Sequence, residues 1–402
     1  MEDSFQSAIE KIKKGTADLV PEEELVEKLR VAKDEDRPLR VKLGVDPSSP
    51  DLTLGHAVVL RKLRQLQDLG HQAILVVGDF TRRIGDPSGR STAREIMGAK
   101  EIEENMKDYE KQVFRILDPE KTEFRYNSEW LGKLKFEDII ELTSKYTVAR
   151  MLERDDFAKR YSENKPISIL EFLYPLAQAY DSVAVDADIE LGGSDQRFNL
   201  IVGRQIQREF DQDPQLVMTV PLLTGTDGSK AMSQTRGNYI GINEPPEEMY
   251  GKLMSITDAT MSEYFRLLTD KSLDDLGDIH PKEKKKRLAY EIVKYVYSEV
   301  EAEHAQEEFE RVFEKNLKPN NIEEVVISRD QIKDDGTIWI LNLLELSGFV
   351  SSRSEARRLI DQGGVKLNDE QVETVDFDPV IDEPIVLQVG KKKFVRLVPE
   401  TS

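Results

Sequence analysis

Tyr174, Gln178 and Asp181 lie four and three positions apart in EFLYPLAQAYDSV, Glu171 to Val183. On a helix that spacing puts three polar groups on one otherwise apolar face. Such a face suits a small aromatic or amphipathic ligand with polar ends; a satisfied buried polar network is the alternative. In DPSSPDLTLGHAVVL, Asp46 to Leu60, His56 sits at a helix start beside free backbone amides, which is either a phosphate site or a turn histidine capping the helix. The stretch DGSKAMSQTRGN, Asp227 to Asn238, reads as a turn-rich loop facing phosphate. In GDFTRRIGDPSGRSTAR, Gly78 to Arg94, the four arginines Arg82, Arg83, Arg90 and Arg94 gather near the same crevice. They meet phosphate there, or they are solvated or paired with acids such as Asp79 and Asp86.

These groups need a frame. Leu39, Val41, Leu43 and Val45 alternate up to Asp46-Pro47, a strand ending in a turn. Val59, Leu63 and Leu66 then recur at helical spacing from Gly55 to Leu69, with Gly70 as the stop. Ala73 to Val77 is a second apolar strand. Val183 to Leu191 alternates into Gly192-Gly193, and Leu216 to Leu223 is a further strand candidate directly before the loop. Strand, helix, strand predicts an α/β fold with a Rossmann-type parallel sheet, whose ligands bind beyond the carboxyl ends of the strands. From about Pro245 to Asn321 the pattern turns to helices rich in Glu and Lys, with the basic cluster Pro281 to Arg287. Ile327 to Thr337 is polar and reads as a linker. The remainder predicts a small α+β unit, whose helix starts in a Ser352 and Glu355 capping box and stops at Gly363.

With 402 residues and 39% hydrophobic content, the chain is expected to fold as a soluble protein of two or three domains. It contains no cysteine, which excludes structural disulfides and favours a reducing, cytoplasmic setting. The start of the chain carries no secretory pattern, and no run approaches the roughly 20 apolar residues of a membrane helix, so no membrane partner is expected. None of His56, His71, His280 and His304 stands at metal-ligand spacing. A net charge of −20 argues against bulk attraction to DNA or RNA. Local basic patches still act within the roughly 8–10 Å over which salt screens them.

The set GHAVVL, IGDPSG, YPLAQAYD, GGSDQ and the loop ending in GNYIGI resembles the bacterial tyrosyl-tRNA synthetases, class I enzymes, over nearly the whole chain. SSRSEARRLIDQGGVKLN resembles the S4 RNA-binding domain appended to them. The resemblance implies a catalytic domain at 1–225, the loop at 226–242, a helical anticodon-binding domain at 243–325, a linker at 326–336 and an S4-like domain at 337–402. It implies a tyrosine-tRNA ligase that uses ATP, with magnesium carried on the nucleotide and no protein metal site. Its partners would be L-tyrosine, ATP and tRNA(Tyr), and a homodimer is implied.

By position, the resemblance gives Asp181 the phenolic hydroxyl, and Tyr174, Gln178 and Asp86 the α-ammonium. Gly44 and Asp46 would lie beneath substrate and nucleotide. Gly193, Asp195 and Gln196 would line the ribose and reacting centre; Gly55, His56, Met232 and Ser233 would face ATP. Lys42 stands where one bacterial subfamily has a substrate-facing tyrosine and the other, which this chain resembles, has lysine.

Two signatures depart from the family. The first histidine of its HIGH motif is Thr53 here, and KMSKS aligns with Ala231-Met232-Ser233-Gln234-Thr235, so both lysines are lost. One transition-state donor is worth about 2.7–4 kcal/mol. Lys230 or Arg236 would have to compensate; otherwise the chain is a synthetase-like paralogue that binds without efficient charging. Arg82 also falls where the family usually keeps a small residue, and the resemblance would let Arg82, Arg83, Arg90 and Arg94 meet phosphate or the tRNA end. On the S4-like helix, Arg353, Arg357 and Arg358 form a basic face for RNA, joined by Lys391, Lys392, Lys393 and Arg396.

Overall fold

The computed structural model describes residues 2–46, 51–85, 99–315, 317–318, 322–390 and 393–400. The chain divides into two compact units, Met1–Glu299 and Val300–Ser402.

The first unit is built on six strands: β1 (Asp18–Val20), β2 (Arg40–Val45), β3 (Gln72–Val77), β4 (Thr122–Tyr126), β5 (Ile189–Gly193) and β6 (Leu216–Val220). Their order is β1-β6-β5-β2-β3-β4. All neighbours run parallel except β1, which caps β6 antiparallel. The central strands are buried on both faces, the pattern of a parallel sheet covered by helices. From β2 the chain proceeds outward to β3 and β4, and from β5 outward to β6 on the other side. The order therefore reverses between β2 and β5, which opens a crevice at their carboxyl ends.

The helix Leu54–Asp68 follows β2, with Thr53 extended at its N-cap and Gly70 left-handed at φ 96° after its end. One alternating segment is not the strand its pattern predicts. Val183 and Ala184 finish the helix Ile169–Ala184, and β5 begins only at Ile189. Asp186, at φ 49°, turns the chain, and Ala187 N–H bonds the Ser182 carbonyl. The turn carries Val185 and Ala187 inward beside Ile74 and Val76, so the apolar alternation records a buried turn. Likewise β6 stops at Val220, because Pro221 cannot continue the ladder.

The segment read as one helical domain is divided. Its helices Pro246–Ser255, Asp258–Leu268 and Pro281–Val296 belong to the first unit. Glu263 accepts from the amide and hydroxyl of Thr224, and Tyr264 donates to the Thr224 carbonyl, which ties the middle helix to the chain leaving β6. Local acids engage the basic cluster: Lys285 pairs with Asp258 at 2.7 Å and Arg287 with Glu291 at 2.8 Å.

In the second unit, β7 (Glu324–Ile327), β8 (Val365–Leu367), β9 (Glu370–Gln371), β10 (Ile385–Val389) and β11 (Lys393–Pro399) form a sheet in the order β7-β11-β10-β8-β9. The expected linker is therefore partly structured. Ile327 is fully buried in this core, and β7 pairs parallel with β11. Helices Ile340–Leu346 and Arg353–Asp361 pack on the sheet. The Ser352 hydroxyl accepts from the Glu355 amide as expected, but the Glu355 carboxylate returns to Ser351 rather than Ser352. Among the described residues no helix is long and apolar enough to cross a membrane.

Candidate active site

A cleft of about 660 Å³ opens at the reversal point between β2 and β5. Its walls come from the ends of β2, β3, β5 and β6, the starts of the helices that follow, one face of Ile169–Ala184, and the loop after β6.

Tyr174, Gln178 and Asp181 line one end together, as their helical spacing requires. Asp181 is buried. Its Oδ1 accepts from Trp130 Nε1 at 2.8 Å and its Oδ2 from Asn127 Nδ2 at 3.2 Å. Burial pushes the carboxyl up to about 6; the Lys42 ammonium and these two donors pull it down, and Glu190 adds to the rise. An ionised carboxylate offers about four lone-pair sites, so two remain for a ligand donor. Gln178 is held through both ends of its amide, by Asn199 Nδ2 at 3.1 Å and by Glu190 Oε1 at 3.3 Å. Gln196 also accepts from Asn199.

Lys42 does not line the cleft. It is fully buried, and its Nζ meets Glu190 Oε1 at 2.9 Å, Ser182 Oγ at 2.8 Å and the Gln178 carbonyl at 2.8 Å. The ammonium thus acts behind the wall, as a positioning group for Gln178.

At the other end, Thr53 and His56 form one unit. The Thr53 amide donates to His56 Nδ1 at 3.1 Å, and the Thr53 hydroxyl lies 2.9 Å from the same nitrogen. Nδ1 is therefore the acceptor, and Nε2–H is the donor the ring keeps for the cleft. The ring is open to the cleft, yet the walls packed around it desolvate the charged form and hold its pKa below the ordinary histidine range, so it is a neutral donor at neutral pH. Thr53 itself is buried and serves His56. Gly55 is needed for close approach: a Cβ there would stand 3.3 Å from Thr53 Oγ1 and 3.6 Å from Met232 Cβ. A Cβ on Gly193 would meet Asp195 Oδ1 at 2.5 Å, whereas the space above Gly44 is open. Gly44, Asp46, Gly193, Asp195 and Gln196 all line the cleft.

The loop contributes Ala231 to Arg236 to the cleft, including Met232 and Ser233. Asp227 ties its base, accepting from the Ser229 and Lys230 amides at 3.0 and 3.1 Å and from Asn238 Nδ2 at 2.8 Å. Gln234 Nε2 donates to the Asp51 carbonyl at 3.0 Å, which fastens the loop tip to the segment before Thr53. Lys230 is exposed and lies outside the cleft lining, so it is not a cation of this cleft. Arg236 does line it, with Nη1 on the Ala231 carbonyl at 3.0 Å. The adjacent arginines part company: Arg82 lines the cleft, while Arg83 is exposed, with its guanidinium 5.5 Å from the Phe80 ring centre. Asp86, Arg90 and Arg94 lie outside the described residues.

Residues 33–314 match the class I tRNA synthetases for tryptophan and tyrosine, and residues 338–378 match the S4 domain. The Tyrosine--tRNA ligase of Thermotoga maritima is 53% identical over 395 residues, covering 96% of each chain, and that of Aquifex aeolicus is 49% identical over 391 residues. The chain belongs to the class I tyrosine-tRNA ligases. The ligase also shares its fold with the solved tyrosyl-tRNA synthetase of Archaeoglobus fulgidus complexed with L-tyrosine, at a TM-score of 0.59 and 22% identity over 75% of this chain and 99% of that one.

Several groups of the ligase's site escape sequence reasoning. Trp130 and Asn127 lie in a stretch without usable periodicity. Glu190 did leave a signal: Lys42 and Glu190 are opposite charges inside two central strands, and they fall in register across β2 and β5.

In the S4 unit, Arg353, Arg357 and Arg358 are exposed on Arg353–Asp361. Arg353 also reaches Glu345 Oε2 and Asn342 Oδ1, both at 3.3 Å, and lies 5.4 Å from the Trp339 ring centre. Lys393 is exposed and donates to the Phe349 carbonyl at 3.2 Å; Arg396 is exposed and stands 3.5 Å from Glu324. Lys391 and Lys392 lie outside the described residues.

Proposed function

We infer that the ligase joins L-tyrosine to tRNA(Tyr) in two steps within the cleft at the sheet reversal. A tyrosine carboxylate oxygen attacks the α-phosphorus of ATP; the bond to the bridging β-oxygen breaks, and pyrophosphate leaves with the electron pair. A terminal ribose hydroxyl of tRNA then attacks the carbonyl carbon of the adenylate, losing its proton to solvent as AMP departs. Neither step needs a protein nucleophile. Both rest on positioning and on donors aimed at developing charge. Magnesium enters on the nucleotide.

The observation that carries this reading is the buried Asp181 carboxylate, ending a helical face that also presents Tyr174 and Gln178. The phenol of tyrosine donates to Asp181, while Tyr174, Gln178 and Asp86 take the ammonium. Gly44, Asp46, Gly193, Asp195 and Gln196 bed the ribose and reacting centre. His56 Nε2–H, Met232, Ser233 and Arg236 face the phosphates, with Thr53 orienting His56. Sites built to bond a hydroxyl reject the analogue lacking it by about 10⁴–10⁵, a range for which tyrosine enzymes of this kind are themselves the standing example.

The ligase works in the cytoplasm, where its tRNA is. Its RNA contacts are Arg353, Arg357, Arg358 and Lys391 to Lys393. It acts as a homodimer, a reading supported by the exposed Phe136, Ile140, Val148 and Ile169 on three helices of the first unit. Tyrosine-dependent exchange of pyrophosphate into ATP, followed by charging of tRNA, tests the whole. Absence of exchange from protein that binds tyrosine would favour the non-charging paralogue.

A further inference from the structure

We propose that Arg82, fixed in the turn after β3, binds the phosphates of the nucleotide during activation and supplies positive charge that the loop lysines do not. The proposal rests on the ligase reading.

A nucleoside triphosphate brings several negative charges into this cleft, and the cleft is not made for them by its acids. Asp46, Asp51, Asp181, Glu190 and Asp195 all line it. Among its described lining residues the permanently cationic side chains are Arg82 and Arg236, and His56 is neutral. Lys230 lies outside the lining. Arg236 rides on the exposed loop, whereas Arg82 belongs to a held turn and its side chain is only 11% exposed.

Several bonds fix that turn. The Arg82 amide bonds the Gly78 carbonyl at 3.0 Å, and the Gly85 amide bonds that of Thr81 at 3.0 Å. Asn127 accepts from the Phe80 amide at 2.9 Å and donates to Thr81 Oγ1 at 3.0 Å. Gly78 admits this packing, since a Cβ there would meet Thr81 Oγ1 at 2.7 Å. Asp46 Oδ1 lies 3.9 Å from Arg82 Nη1, a charge contact beyond hydrogen-bond range that keeps the guanidinium at the mouth of β2. An arginine held in this way needs little reorganisation when charge develops, the condition under which a donor contributes most to a transition state. Its planar fork also suits phosphate oxygens better than an ammonium does.

The test uses the full chain with Arg82→Ala and Arg82→Lys. Exchange is measured at saturating tyrosine with ATP varied, and tyrosine binding is measured without ATP by equilibrium dialysis. Arg82→Ala is expected to lower kcat/KM for ATP by about 10²–10³, to leave the tyrosine Kd within about threefold, and to recover at least about tenfold in Arg82→Lys. Exchange within about threefold of the parent overturns the proposal, as does an equal loss of tyrosine affinity, which would make Arg82 a support for Asp46. If the parent itself shows no exchange, the ligase reading fails separately. Pyrophosphate titrated into the tyrosine-loaded protein then decides Arg82: about tenfold weaker binding in Arg82→Ala sustains it, and equal binding removes it.

Discussion

At the Asp181 end of the cleft, the polar groups are backed by buried or half-buried side chains: Asp181 by Trp130 and Asn127, Gln178 by Asn199 and Glu190, and Glu190 in turn by Lys42. At the His56 end, the imidazole is oriented by a backbone amide, and the loop is fastened through the Asp51 carbonyl and the Asp227 knot. The first arrangement fixes a recognition geometry before the substrate arrives. The second sets His56 on a capped helix and Arg82 on a bonded turn, and its loop, with Thr235 and Arg236, is exposed.

The largest expected effect breaks the rigid end. Asp181→Ala should reduce discrimination between tyrosine and phenylalanine by about 10⁴, read as the ratio of kcat/KM in exchange. Equal losses for the two amino acids would remove the hydroxyl contact. Next, Lys42→Met leaves Glu190 buried without its ion pair and should cost about 3–5 kcal/mol in urea unfolding. A loss below about 1 kcal/mol would mean that the wall needs no counter-charge. The same end should respond to pH. Because burial raises the Asp181 carboxyl to about 6, the acceptor form prevails above that value and is lost below it. Tyrosine Kd should therefore rise as pH falls through 6, approaching tenfold per unit, while phenylalanine binding stays flat; parallel curves would place the titration elsewhere. The smallest effect belongs to the loop. Gln234→Ala removes one hydrogen bond, about 1 kcal/mol, and should speed tryptic cleavage after Lys230 or Arg236 about fivefold. An unchanged rate would show that Gln234 does not hold the loop.

Strands β2, β3, β5 and β6 were legible because they are largely apolar runs closed by glycine or proline, whereas the short β1 and the polar β4 were not read, and the three-residue face was legible because Tyr174, Gln178 and Asp181 share one helix. What stayed hidden depends on contacts between distant segments. Trp130 meets Asp181 across 51 positions of chain, and no local pattern announces such a pair. Lys42 illustrates the converse: its place on β2 was readable, but its direction is set by Glu190, 148 positions later. The alternation from Val183 to Leu191 misled because a left-handed residue at Asp186 buries the same side chains that a strand would.

The antiparallel edge strand β1 has a consequence for biosynthesis. Leu19 pairs with Met218, so the first strand made has no partner until about 200 more residues have followed. At about 5–20 residues per second on the ribosome, that is a wait of roughly 10–40 s. During it the segment must be kept from other unpaired edges. The sheet's oldest strand is the one whose place is completed last, and a synthesis pause before Leu216 would prolong the exposure.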